Sequence, residues 1–249
     1  MSVKTYLYGK NPLKEAIHFG KKKSVMPIKE LFLTKTAQAE DSVMSLVQAN
    51  NITYSVVTSS EIESHIGRDA VHQGVLALLD DKILYTSLEE VLKNVSTKER
   101  PLFILLDELQ DPHNVGAIIR SAVAFGADAI LMPEHNQTQI TGTVIKASSG
   151  TNFSIPIVRI GNVNTTLLKL KEKGYWAYAL TGDGDTSLPS VTFDTSSIIV
   201  IGSEGSGIAK KTLEHCDFKL SIPIAPACES LNASNAVAVT LYEWSKQQK

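Results

Sequence analysis

From residue 102 to the end of the chain, short apolar runs alternate with stretches of helical period. No other feature constrains the fold as strongly. "LFILLDEL" (102–109), "ADAILMP" (127–133), "SIPIVRI" (154–160), "YWAYALT" (175–181), "SSIIVIGSE" (196–204) and "FKLSIPI" (218–224) read as strands. Near-continuous apolar runs of this kind suit a parallel sheet covered on both faces. Between them, 115–125 ended by Gly126, 138–147, 163–173 ended by Lys173-Gly174, 208–214 and 232–247 read as helices. Strand–helix alternation of this kind predicts an α/β domain, doubly wound around one sheet. Ligands of such sheets bind at the carboxyl ends of the strands, so the turns after Leu109, Thr181, Ile201 and Ile224 are the places to look.

The first 80 residues have a different texture. Asn11 reads as a cap, with Pro12 at the first position of a helix running to Phe19. Gly20 with Lys21–Lys23 reads as a turn. "IKELFLT", "ITYSVV" and "HQGVLALLD" read as strands, and residues 38–50 and the stretch "SSEIESHIG" as helices. These elements make a small α/β unit. Residues 81–100 read as a connector, so the expected domains are 1–80 and 101–249.

Composition excludes several classes. The chain has 249 residues, 43% hydrophobic and 20% charged, as expected of a soluble globular protein of one or two domains. No apolar run approaches the ~20 residues of a membrane helix, and the start of the chain lacks a signal-peptide core. A cytoplasmic protein is expected. Cys216 and Cys228 form no CxxC pair, and no His/Cys cluster has metal spacing, so no metal is expected. The net charge of −2 is unevenly spread. Residues 1–35 hold eight lysines and two acids, +6, and the remaining 16 basic and 24 acidic groups leave −8. Lys21, Lys22 and Lys23 suit phosphate contact, as in RNA binding; a solvated lysine-rich loop explains them equally well.

Three turns carry candidate chemistry. In "DPHNVGAIIR" (111–120), Asn114 stands at a helix entrance and Gly116 leaves the helix surface bare. Arg120 is the one formally charged side chain between Asp111 and Asp128. It sits in an apolar run, where an arginine needs a partner: an acid such as Asp107 or Glu204, or an anionic ligand. In "IVIGSEGSGIAKK" (199–211), glycines 202, 205 and 207 are in the order G-x-x-G-x-G. That is neither the dinucleotide fingerprint nor a Walker A loop. Bare glycines at a strand end still let a flat ligand approach the backbone. Glu204 between them is either catalytic or an exposed turn residue. In "SIPIAPACESLNASNA" (221–236), Ser230, Asn232, Ser234 and Asn235 crowd the start of a long helix, more small polar groups than capping requires.

Taken together and in this order, the turns resemble the SpoU/TrmH family of RNA ribose 2′-O-methyltransferases. N-x-G-x-x-x-R matches Asn114, Gly116 and Arg120. G-x-E-x-x-G matches Gly202, Glu204 and Gly207. The third motif matches Ile222 and Pro223, then Ser230, Leu231, Asn232 and Ser234. "YGKNPLKEAI", "IKELFLT" and "VHQGVLALL" are similar to the substrate-binding domain of a branch that methylates a guanosine of 23S rRNA.

The resemblance implies a trefoil-knot (SPOUT) methyltransferase domain behind a small N-terminal α/β RNA-binding domain. It also implies a homodimer, S-adenosylmethionine as cofactor and large-subunit rRNA as partner. Gly202, Ile222 and Leu231 would contact the cofactor. Asn114, Arg120, Glu204, Ser230, Asn232 and Ser234 would line the reaction site. A guanidinium does not readily give up its proton, so Arg120 suits a donor to a developing alkoxide or a phosphate better than a base. Glu204 is then the candidate acceptor. The chain departs from the family at Ile224, Pro226 and Ala233. Pro226, where glycine is usual, puts the shape of the cofactor loop in question. The alternatives are the same chemistry on tRNA or another rRNA nucleoside, or a non-catalytic RNA-binding or ribosome-assembly protein.

Overall fold

The computed structural model describes residues 4–248. Contacts divide the chain into two compact units, Met1–Leu84 with Ile140–Ser154, and Tyr85–Gln139 with Ile155–Lys249.

The first unit is built from β1 (Tyr6–Tyr8), α1 (Lys10–Lys23), β2 (Ile28–Thr34), α2 (Lys35–Gln38), α3 (Asp41–Gln48), β3 (Ser55–Val57), α4 (Ser59–Ile66) and β4 (Val75–Leu79). Its four-stranded sheet has the order β1-β4-β2-β3, with β4 antiparallel to both neighbours and β2 parallel to β3. Three local expectations need correction. The first helix does not end at Phe19 but continues through Lys21–Lys23, which form its last turn. Cations there complement the negative end of the helix dipole. Its N-cap is Gly9, without a side-chain cap, in place of Asn11. The helix expected over 38–50 forms as α3, starting at Asp41 and ending at Gln48; Ala39 and Glu40 separate it from the short α2, and Glu40 in extended backbone pairs with Lys10. The start of α4 is held by a capping box between Thr58 and Glu61.

The second unit contains α5 (Leu88–Asn94), β5 (Leu102–Asp107), α6 (Pro112–Phe125) and β6 (Ala129–Pro133). After α7 (Gly142–Ala147), which belongs to the first unit, come β7 (Ile157–Ile160), α8 (Val163–Lys171), β8 (Trp176–Leu180), β9 (Thr186–Ser187), β10 (Ser197–Gly202), α9 (Lys210–His215), β11 (Phe218–Ser221) and α10 (Ala233–Lys246). Seven strands form one sheet in the order β7-β6-β5-β10-β8-β11-β9, and every pairing in it is parallel. Every residue of β5, β6 and β10 is buried, which is why they read as unbroken apolar runs. The short β9, at the sheet edge, has too little apolar length to be read from sequence.

The order of strands positions the site. After β7 the chain crosses to the far side of the sheet, and β10 then returns to lie between β5 and β8. Its carboxyl end, with those of β8 and β11, opens at a reversal of strand order, where ligands of α/β sheets bind.

The domain division differs from a simple break near residue 100. Residues 85–100 group with the large sheet. Residues 140–154, lying in sequence between β6 and β7, group with the first unit. A Cβ on Gly142 would stand 2.3 Å from the Tyr6 carbonyl oxygen, and Phe153 packs on Phe19 with ring centroids 5.8 Å apart. Nothing in the sequence of this excursion marks it, because it is short and bounded on both sides by strands of the other unit.

Candidate active site

Four of the singled-out polar residues, Asn114, Glu204, Asn232 and Ser234, meet in one hydrogen-bonded cluster. Asn114 is in the first turn of α6, whose N-cap Asp111 accepts from the backbone of His113. The Asn114 side chain is buried and donates through Nδ2 to Glu204 Oε1 at 2.7 Å. Asn232 is the N-cap of α10. Its Nδ2 donates to the same Glu204 oxygen at 2.6 Å and to Asn114 Oδ1 at 2.9 Å. Its Oδ1 accepts from the backbone and the hydroxyl of Ser234, at 2.9 and 2.6 Å, and from the Asn235 backbone at 3.4 Å. Each amide is therefore used at both ends. The surplus of small polar groups before α10 divides into a cap on one side of Asn232 and a carboxylate clamp on the other.

Beside this cluster lies an open cleft of ≈ 520 Å³. Four pieces of chain wall it: Leu180–Asp183 after β8, Ile201–Ser203 with Glu204 after β10, Ile222 and Ile224 after β11, and Glu229–Ala233 leading into α10. Gly202, Ile222, Ser230 and Leu231, singled out from the sequence, all line it. Asp183, Glu204 and Glu229 bring three carboxylates, and no lysine, arginine or histidine lines it. One hydroxyl in its wall, Thr181 Oγ1, is buried without a hydrogen-bond partner. A buried polar atom normally has a partner, so this hydroxyl is available to a polar group entering the cleft.

The loop after β10 is shaped by glycine. A Cβ on Gly202 would lie 2.2 Å from the carbonyl carbon and oxygen of Gly207 and 2.3 Å from the Ile208 nitrogen. Here the lost side chain makes room for the returning chain, where the sequence suggested room for a flat ligand. Gly207, at φ +68, occupies the left-handed region that favours glycine. Ser203 and Gly207 exchange both backbone hydrogen bonds, 3.1 and 2.9 Å, closing the loop. Pro226 also has a local account. Cys228 donates its N–H to the Ala225 carbonyl at 3.0 Å, which puts Pro226 at the second position of a turn, where proline is favoured. Pro226 is not among the residues lining the cleft.

Other expectations are not met. Arg120 is exposed: the apolar residues around it in sequence, Val115, Ile118, Ile119 and Ala122, occupy the buried side of α6, and Arg120 faces away. It already has a partner in the folded chain, so it is not a buried charge waiting for substrate. Six residues of helix carry it about 9 Å along the axis from Asn114, and it does not line the cleft. Lys21, Lys22 and Lys23 are exposed and belong to the first unit. Sequence reasoning missed Thr181 as an individual residue, and Asp183 and Glu229 altogether. The turn after Thr181 was nonetheless one of the four expected binding turns. Among the described residues there is no group of three or more possible metal ligands, and no helix is long and apolar enough to cross a membrane.

Comparison with known proteins agrees with this architecture. Residues 101–242 match the SpoU rRNA Methylase family, and residues 6–83 match the RNA 2′-O ribose methyltransferase substrate-binding domain. A Staphylococcus aureus (strain COL) protein described as "Putative TrmH family tRNA/rRNA methyltransferase" is 33% identical over 240 residues, 96% of this chain and 94% of that protein. A Mycobacterium sp. (strain KMS) protein described as "Uncharacterized tRNA/rRNA methyltransferase" is 32% identical over 245 residues, 97% of this chain and 76% of that protein. Among solved structures, the SpoU methyltransferase AviRb of Streptomyces viridochromogenes, in complex with AdoMet, superimposes with a TM-score of 0.79 at 22% identity. It covers 98% of this chain and 90% of AviRb. An AdoMet-bound rRNA methyltransferase from Sinorhizobium meliloti gives 0.77 at 21% identity, over 98% and 87%. The chain belongs to the SpoU family of RNA methyltransferases.

Proposed function

We propose that this chain transfers a methyl group from S-adenosylmethionine to the ribose 2′-hydroxyl of a guanosine in 23S rRNA, as a cytoplasmic homodimer. The observation that carries the reading is the clamp of Asn114 and Asn232 on Glu204 at the mouth of a cleft that suits the cofactor. The fit is chemical. A sulfonium cofactor is cationic, and this cleft offers three carboxylates and no cationic side chain. Thr181 Oγ1 offers an unused hydroxyl for a polar edge of the cofactor. Gly202, Ile222 and Leu231 offer the flanking wall.

When bound, the cofactor supplies an electrophilic methyl group. The chain must orient the ribose oxygen toward that methyl and accept the proton that the hydroxyl releases. Glu204 is assigned the proton. Both amide donors converge on Oε1, so Oε2 takes no part in the clamp. Fixing the carboxylate in advance removes the freedom that would otherwise be lost in reaching the transition state. Ser230 and Ser234 flank Asn232 and are assigned to the ribose. Arg120, exposed and permanently charged, is assigned to the RNA as a donor to phosphate or to the developing alkoxide. Lys21–Lys23 are assigned to the RNA backbone. The dimer is supported by α10, where Val239 and Tyr242 remain exposed at 42% and 56%, three residues apart on one face.

Mapping ribose methylation across the rRNA of a strain lacking the gene tests the reading. One 23S guanosine should lose its 2′-O-methyl mark and regain it on complementation. A mark lost from tRNA would change the substrate. An unchanged methylation map would end the proposal.

A further inference from the structure

Asp107 is the one charged residue that is buried among the described residues, 3% exposed, and no step above uses it. It ends β5, and its register partner across the parallel ladder is Gly202, the last residue of β10. Its Oδ2 accepts from the backbone N–H of Ala209 at 2.9 Å, and the carboxylate also accepts from the hydroxyl of Thr212, itself 2% exposed. Ala209 is the N-cap of α9 and provides no cap of its own. A residue 102 positions earlier in the chain therefore does the capping. The loop between these two anchor points, 203–208, carries Glu204, and five of its residues line the cleft. Burial pushes the Asp107 carboxyl up from its ordinary value, and the bonds to Ala209 and Thr212 oppose that shift. A buried carboxylate without a cation is costly.

We propose that Asp107 is a positioning residue: by pairing with Gly202 at one end and capping Ala209 at the other, it sets the span of the 203–208 loop and so the place of Glu204 and the cofactor wall. The inference rests on the proposed cofactor site. Its effect is separate from general stability, because the anchor acts on one loop whose interior is already closed by Ser203 and Gly207.

The test is calorimetric titration of S-adenosylmethionine into the full chain and its variants. Wild type must bind; absence of binding would remove the cofactor reading itself, and this inference with it. Asp107→Ala should bind at least about tenfold more weakly, the lower end of what losing one hydrogen bond to a charged acceptor costs. Asp107→Asn keeps an acceptor oxygen for Ala209 and should recover most of that loss. Thr34→Ala, which removes a buried cap in the first unit, supplies a destabilised control. It should lower the melting temperature while leaving the cofactor Kd unchanged. If Asp107→Ala fails to fold, Thr212→Val removes one of the two bonds and should give a smaller loss of affinity in the same direction. Wild-type affinity in Asp107→Ala, or in a folded Thr212→Val where the alanine variant does not fold, overturns the proposal. So does equal weakening in Thr34→Ala.

Discussion

Asn232 does two jobs that one substitution can separate. Its Oδ1 caps α10, and its Nδ2 clamps Glu204. In Asn232→Asp the cap survives, because aspartate is as good a cap as asparagine and its charge suits a helix N-terminus. The clamp does not survive. The 2.6 Å contact to Glu204 Oε1 loses its donor, and two carboxylates would face each other there. A hydrogen bond to a charged group contributes ~1.5–3 kcal/mol, so kcat/KM should fall by roughly 10- to 150-fold at ~1.4 kcal/mol per decade. Unfolding stability should fall too, by a similar amount, since the cap is kept but the bonds from Nδ2 to Glu204 and Asn114 are lost. Asn232→Ala should lose the cap as well and cost ~1 kcal/mol more of stability. The assays are single-turnover methyl transfer to rRNA and urea unfolding of the same preparations. Wild-type kcat/KM in a folded Asn232→Asp would refute the claim that the clamp serves the chemistry.

Other outcomes follow from the same geometry. Gly202→Ala should destabilise the loop and lower cofactor affinity, because its Cβ meets backbone that cannot rotate away; equilibrium dialysis would detect this. Arg120→Ala should abolish methyl transfer while the cofactor Kd, read by calorimetry, is unchanged. Replacing Lys21–Lys23 together by alanine should weaken RNA binding and flatten its salt dependence, by ~0.7–0.9 in log–log slope for each phosphate left unneutralised, measured by filter binding. Cys216 and Tyr175 are both pushed up to about 12, chiefly by burial. The folded chain thus retains protons that the unfolded chain releases from about pH 9, so stability is full below that pH and is lost as pH rises toward 12. Alkaline urea titrations should show this fall. In the native state at pH 8 one thiol, the exposed Cys228, should react with a disulfide reagent.

The large sheet was legible because its strands are buried on both faces, and burial writes itself as uninterrupted apolar runs. The ends of β8 and β10 were recognisable to within one residue, at Thr181 and Ile201; β11 ends at Ser221, three residues before the expected Ile224, and the cleft lies against all three. The clamp was half legible. Asn114, Glu204 and Asn232 stand out as polar residues at bare turns, but their mutual bonding spans 90 and 118 positions and leaves no local trace. Arg120 was misjudged because an apolar neighbourhood in sequence says nothing of which side of a helix a residue faces. Asp107 was hidden by the opposite effect: a carboxylate at the end of an apolar strand looks like the point where burial stops. The attachment of residues 140–154 to the first unit depends on glycines at 142 and 150 and on Phe153, which is visible only once the two pieces of chain are seen side by side.

One measurement bears most directly on the account. The purified chain and its Glu204→Ala variant would each be incubated with methyl-labelled S-adenosylmethionine and unmodified 23S rRNA, which is then digested to nucleosides and analysed by mass. Label should appear in 2′-O-methylguanosine with the wild-type chain and be lost with the variant. Label on a base, or equal transfer by both proteins, would contradict it.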